Sequence, residues 1–270
     1  MLKKSSLNLA FSANFPDSWS RFQWARQNAY ALEYSPDPHG LDLLPGVIRP
    51  FIDSDIPVRF HTRYFQYELG HADKYLARKA LEAHIKSLKA MHGYGESAVT
   101  VHTGLLPECP VKEEHILENL SRLVERAHRL GMTICLENMR IGHGADPFKV
   151  FERAEKSGAM ITLDVGHARG CAMVMDKQIT FTEIVDLFES RLYEVHVYGR
   201  EDEQGHHPIT DIEPLAGVLG RLLQTDCTWW TIELSNQEEA MATRNLLENY
   251  FKTKVTIHHR QRPVPSSCFC

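Results

Sequence analysis

The feature that most constrains this chain is a repeated alternation. Short β-rich runs are followed by helix-length segments from one end to the other: LNLAFS (7–12), ALEYS (31–35), IPVRFH (56–61), SAVTVHT (97–103), MTICLEN (132–138), AMITLDV (159–165), LYEVHVY (192–198) and WWTIELS (229–235). Runs this short, rich in β-branched and aromatic residues, read as strands. Helical patterns stand between them, clearest at 70–92, 112–130 and 236–251. In 112–130 the apolar residues Ile116, Leu120, Leu123 and Ala127 recur every three to four positions, charges take the other face, and Gly131 supplies the stop. Eight β-then-α units without a linker predict one parallel (β/α)8 barrel over residues 1–255, with 256–270 as a flexible tail ending in Cys268 and Cys270. A doubly wound open sheet is the competing fold, disfavoured because no glycine-rich phosphate loop follows the first strand.

Composition agrees. The length of 270 residues suits a single barrel, and hydrophobic and charged fractions of 43% and 24% exclude disorder and fibrous repeats. No apolar run reaches membrane-span length, and the start MLKKSSLNLAFSANF holds too short an apolar stretch for a secretory signal, so a cytoplasmic location is expected. A net charge of −5 supplies no global field toward nucleic acid or anionic lipid. Six scattered cysteines read as reduced thiols. The fifteen histidines are the anomaly, and their positions matter more than their number.

In a parallel barrel, side chains alternate between interior and helix layer, and the active site lies at the carboxyl ends of the strands. Aligned by the last inward polar residue, the eight strand ends are Ser12, Glu33, His61, His102, Glu137, Asp164, His196 and Glu233, each preceded by an apolar residue suited to the helix layer. Three imidazoles and four carboxylates thus converge on one mouth. Carboxylates placed together repel, and clustered histidines lose hydration without return, unless a cation sits among them. Mixed His/Asp/Glu sets suit Zn²⁺ or Mn²⁺. His167, three residues after Asp164, adds a ligand, and the loop REDEQGHHPIT offers Asp202, His206 and His207. Arg59 and Glu194, two residues before strand-end histidines, are expected to pair inside the barrel. The histidines in helical patterns, His71, His84, His92, His115 and His128, are expected at the surface.

At these residues the chain resembles the xylose-isomerase-like barrel superfamily, which includes endonuclease IV and many sugar isomerases and epimerases. The motifs are LENMRIGHG (136–144), LDVGHARG (163–170), and VHVYG followed by GHHPIT. The resemblance to endonuclease IV implies metal ligands at His61, His102, Glu137, Asp164, His167, His196, His206 and Glu233, holding up to three ions. Gln204 departs from it by standing where the family has a loop aspartate, as does Thr210 in place of a loop glycine; one metal position is then expected to be weakened, or to be filled by neighbouring Asp202. The sugar isomerases of the superfamily need only Glu137, Asp164, His196 and Glu233, for one ion.

Two chemistries follow. The extra histidines favour metal-assisted hydrolysis of a phosphoester in a small sugar-phosphate or nucleotide-like substrate, with one to three Zn²⁺ or Mn²⁺ ions. The alternative is a single-metal sugar or sugar-phosphate isomerase or epimerase in which Glu137 and Glu233 act as acid and base and His167 binds substrate. Glu33, Arg200 and Asp202 are candidate substrate contacts in either case. A third reading, a barrel that binds a ligand without chemistry, is motivated by Gln204 alone. Specificity is expected in the loops 62–70, 103–111, 139–146 and 198–212.

Overall fold

The structure is a computed structural model that describes residues 7–15 and 19–260, with side chains as far as residue 254. Its strands are β1 (Asn8–Asn14), β2 (Leu32–Ser35), β3 (Val58–Thr62), β4 (Ala98–Val101), β5 (Thr133–Glu137), β6 (Met160–Asp164), β7 (Leu192–Val197), β8 (Arg200–Asp202), β9 (Gly205–His207) and β10 (Trp229–Ile232). Strands β1 to β7 and β10 close into an eight-stranded barrel, ordered β1-β10-β7-β6-β5-β4-β3-β2, and every pairing in it is parallel. The helices are α1 (Trp19–Gln27), α2 (Leu44–Ile52), α3 (Lys74–Met91), α4 (Glu113–Arg129), α5 (Pro147–Ser157), α6 (Val165–Gly170), α7 (Ala172–Met175), α8 (Phe181–Phe188), α9 (Ala216–Leu222) and α10 (Gln237–Arg260).

Local chemistry sets the helix ends. Helix α3 begins at Lys74 rather than near 70, because the Asp73 carboxylate accepts from the N–H groups of Tyr75 (2.7 Å) and Leu76 (3.2 Å). On α4 the predicted stripe of Ile116, Leu120, Leu123 and Ala127 is buried, and Gly131 follows with a φ of 66°. Helix α10 runs to Arg260, past the boundary expected at 255. Residues 261–270 of the expected tail, with Cys268 and Cys270, lie outside the described residues.

The single inward phase holds around the barrel. Phe11, Leu32, Phe60, Val101, Leu136, Leu163, Val195 and Ile232 are buried in the layer between strands and helices, as their alternation requires. The floor of the interior is closed by Trp229 packed with Ala10 and Ala31. Arg59 lies there with its guanidinium 4.5 Å from the Trp229 ring centroid and 3.4 Å from Glu194, so the predicted interior pair forms. Two histidines depart from expectation: His84 on α3 is buried, facing Thr62 (3.1 Å) rather than solvent, and the His115 side chain is only 11% exposed, with Nδ1 donating to the His71 carbonyl (2.8 Å).

Candidate metal centre

The strand ends deliver Glu33, His61, His102, Glu137, Asp164, His196 and Glu233 to one buried region at the mouth of the barrel. His61 Nε2, His102 Nε2 and Glu137 Oε2 form a triangle with edges of 3.3, 3.3 and 3.1 Å. Four donors held about 2.0–2.1 Å from a tetrahedral Zn²⁺ stand about 3.3 Å apart, so three of them already have the required separations. Glu137 Oε2, at the corner shared with both imidazoles, is buried and makes no hydrogen bond. A buried carboxylate oxygen left without a hydrogen bond beside two imidazole nitrogens suits a cation site.

A second cluster joins Glu137, Asp164, His196 and Glu233. His196 Nδ1 stands 3.4 Å from Glu137 Oε2 and 3.5 Å from Glu233 Oε2, while Asp164 Oδ2 is buried without a hydrogen-bond partner. The opposite nitrogen, His196 Nε2, bonds to Glu33 at 3.1 Å, which leaves Nδ1 free as a ligand. Glu33 is 1% exposed and lies beneath the cluster. Its expected contact with substrate is therefore replaced by contact with a ligand.

The third cluster, His167, Glu201 and His206, comes from α6 and the β8–β9 hairpin. His167 Nδ1 donates to the Asn138 carbonyl (2.9 Å) and His206 Nδ1 to the Glu233 carbonyl (2.9 Å), so both Nε2 atoms are directed toward Glu201, at 3.4 and 3.8 Å. The His206 ring stacks on Tyr198 with centroids 3.9 Å apart.

This hairpin divides the loop candidates between two faces. Glu201 pairs across it with His206, so both side chains project from one face, whereas Arg200 and Asp202 project from the other. Asp202 is held there by His207 (2.7 Å), and the Arg200 side chain is 64% exposed and pairs with Asp202. The acid that faces His167 and His206 is Glu201, which the sequence reading missed. Gly205, with a φ of 105°, makes the turn that brings the two three-residue strands into register.

A cavity of about 210 Å³ lies over these clusters. His102, Glu137, His167, Glu201, His206 and Glu233 line it, with Arg63 and Phe65, Leu105 and Pro107, and Met139, Arg140 and Ile141 completing the wall. These wall residues come from three of the four loops expected to carry specificity, and Glu201 and His206 come from the fourth. Arg63 and Arg140 were not among the sequence candidates, although they closely follow the strand-end residues His61 and Glu137.

Burial alone would push the Glu137 and Glu233 carboxyls up, but His102 and His196 around Glu137, and His206 and Arg63 around Glu233, hold both well below the usual range. Burial dominates at Asp164 and raises it to about 6. At His167 burial is outweighed by Asp164, Glu201 and Glu137, which raise it to about 10. At His61 burial prevails instead and lowers the ring to about 4, which keeps it neutral and able to offer a lone pair to a cation.

Fold and centre together define a (β/α)8 barrel of enzyme type with a His/carboxylate cluster at its carboxyl-terminal mouth. The chain belongs to the xylose isomerase-like TIM barrel family, whose model matches residues 8–250. It is 31% identical over 158 residues to the uncharacterized protein MJ0008 of Methanocaldococcus jannaschii, a match covering 58% of this chain and 68% of that one. Among solved structures it resembles a D-tagatose 3-epimerase-like protein (TM-score 0.71, 19% identity, 92% of this chain and 98% of that one). An L-ribulose 3-epimerase also matches (TM-score 0.71, 15% identity, 96% and 100%). Endonuclease IV from Thermus thermophilus matches with a TM-score of 0.66 and 17% identity over 91% and 99% of the two chains.

Proposed function

We propose that the protein is a divalent-metal-dependent sugar isomerase or epimerase. The observation that carries this reading is the placing of Glu137 and Glu233. Both line the cavity, from strands separated by β6 and β7, and each directs one oxygen at His196 Nδ1. Of the remaining oxygens, Glu137 Oε1 stands 3.5 Å from His167 Nδ1 and Glu233 Oε1 3.3 Å from Arg63. Glu137, Asp164, His196 and Glu233 would hold the cation. When bound, that cation supplies Lewis-acid polarisation of a sugar carbonyl, which acidifies the adjacent C–H. Of the two glutamates, one takes that proton as an ionised base, and its partner, once protonated, returns a proton from the other side. His167 binds a substrate hydroxyl beside them. The epimerases among the similar structures support this reading, which reverses the order in which the sequence alone places the two chemistries.

The second reading, phosphoester hydrolysis, is favoured by the His61–His102–Glu137 triangle and by His167, Glu201 and His206, because one ion needs neither set. The third reading, binding without chemistry, rests on Gln204 alone, and Glu201 beside His167 and His206 weighs against it. The test is incubation of Zn²⁺- or Mn²⁺-loaded protein with ketopentoses and ketohexoses in D₂O, following solvent deuterium at the carbon next to the carbonyl by NMR. Exchange that disappears in Glu137→Gln and Glu233→Gln is expected. Absence of exchange, with cleavage of phosphomonoesters or phosphodiesters, would establish the second reading instead.

A further inference from the structure

The arginines of this molecule divide into two kinds. Those that serve the fold use their guanidinium donors on protein acceptors. Arg21 donates to the carbonyls of Ser12 (3.0 Å), Ser235 (2.9 Å) and Leu234 (2.7 Å). Arg153 donates to both Glu113 oxygens (2.7 and 2.6 Å) and to the His143 carbonyl (2.7 Å). Arg63 and Arg140, on the cavity wall, do not follow that pattern.

Their side chains are 31% and 27% exposed, so they are largely withdrawn from water. Arg140 makes one hydrogen bond, from Nε to Glu201 Oε2 at 2.8 Å. Arg63 makes a single ion-pair contact, Nη1 to Glu233 Oε1 at 3.3 Å. Each guanidinium carries five N–H donors, and most of the ten have no protein acceptor among the described residues. Removing such groups from water without replacing their hydrogen bonds costs free energy. Both carboxylates that anchor them belong to the clusters able to hold a cation. A carboxylate that binds a cation gives up most of its attraction for a guanidinium, so loading the centre leaves two positive groups facing the cavity with free donors.

We infer that Arg63 and Arg140 form a subsite for a phosphoryl group carried by the substrate, so that the natural substrate is a sugar phosphate rather than a free sugar. This rests on the isomerase or epimerase reading for its chemistry, but the subsite is a binding claim that can be tested apart from it. Two guanidiniums on separate loops suit a tetrahedral dianion with three free oxygens, since each can take its own edge; a planar carboxylate presents only one. Hydroxyl groups of a neutral sugar would satisfy some donors but neither charge.

The test compares a ketopentose, its 5-phosphate and a hexuronate on metal-loaded protein, reading deuterium exchange for kcat and KM. The 5-phosphate is expected to exceed the free sugar at least tenfold in kcat/KM, mainly through KM, and to exceed the hexuronate. Arg140→Gln should remove about tenfold of that preference while metal content and turnover of the free sugar persist, with Arg140→Lys restoring part of it; Arg63→Gln, which also touches Glu233, is read only as the ratio of kcat/KM for phosphorylated over free sugar, which should likewise fall about tenfold. Equal use of free and phosphorylated sugar, a preference for the hexuronate, or equal loss on both substrates in the variants would overturn the inference while leaving the isomerase reading standing. If no sugar exchanges, that reading fails and the subsite is judged by calorimetry with inorganic phosphate on the same loaded protein. Binding weakened at least tenfold in both Gln variants then supports it, and unchanged binding overturns it.

Discussion

Glu33 shows how one buried carboxylate governs two ligands. It accepts from His196 Nε2 at 3.1 Å and stands 3.7 Å from His61 Nδ1, on the side of each ring away from Glu137. That arrangement keeps His196 Nδ1 and His61 Nε2 as the lone-pair nitrogens at the centre. Outer partners of this kind typically change cation affinity about 10–100-fold. Glu33→Ala is expected to lose that much Zn²⁺ affinity by competition with a chromophoric chelator, while Glu33→Gln, which keeps one acceptor oxygen, loses less. Equal affinity in all three proteins would sink the assignment. His84 makes the second residue-scale prediction. Burial lowers its pKa to about 4, so the folded state prefers the neutral ring. The folded pKa lies below the ordinary value of about 6.5, so its contribution is complete above pH 6.5 and is lost as pH falls toward 4, by on the order of 3 kcal/mol. Urea midpoints for wild type and His84→Gln should therefore converge or cross between pH 7 and pH 4; a constant gap would refute it.

At the scale of elements, what was readable depended on whether an element set its own phase. The barrel strands did, because period-two alternation and an apolar helix-side neighbour place Glu137 or Asp164 inward whatever the loops do. Helix α3 carried a legible signal for His84 as well, since it follows Ala77, Ala80 and Leu81 and precedes Leu88 at helical spacing on the buried face. The β8–β9 hairpin did not announce itself. Each strand has three residues, too few for a pattern, and its face is chosen by the docking of His206 on Tyr198. Arg63 and Arg140 were illegible for a related reason, because loop conformation rather than periodicity aims them. The hairpin register yields a contrast between neighbours. Glu201→Ala should lower the bound metal, measured by elemental analysis, if the His167–Glu201–His206 cluster is filled, whereas Asp202→Asn should leave it unchanged. A loss on removing Asp202 alone would mean that the opposite face carries the ligand.

Across the whole molecule, the interior is polar along its axis and closed at one end. Above Trp229 and Arg59, Thr231 donates to Glu194 (3.0 Å) and Thr100 bonds to Thr162 (2.8 Å), with the ligand layer above them. Burial raises Glu194 to about 7 and Asp164 to about 6, so ionised acids at the barrel axis cost free energy that neighbouring cations must offset. At Glu194 one of those neighbours is Arg59; at the ligand layer histidines take that part only when protonated. A divalent cation would do so with the histidines neutral, and would therefore bind the folded barrel far better than the unfolded chain. Stability should then rise with free cation as RT ln(1 + [L]/Kd), about 2.7 kcal/mol at a hundredfold excess over Kd for each site. Chelator-treated protein is expected to unfold at lower urea and to recover when Zn²⁺ or Mn²⁺ is returned. Glu137 belongs to two of the clusters, so Glu137→Gln should remove most of that increment. His102→Ala should remove only the part due to the triangle with His61. An increment that His102→Ala leaves whole would mean that one ion at Glu137, Asp164, His196 and Glu233 accounts for the stabilisation, as the single-metal isomerase chemistry requires; an increment that falls in steps would mean that the barrel holds more than one.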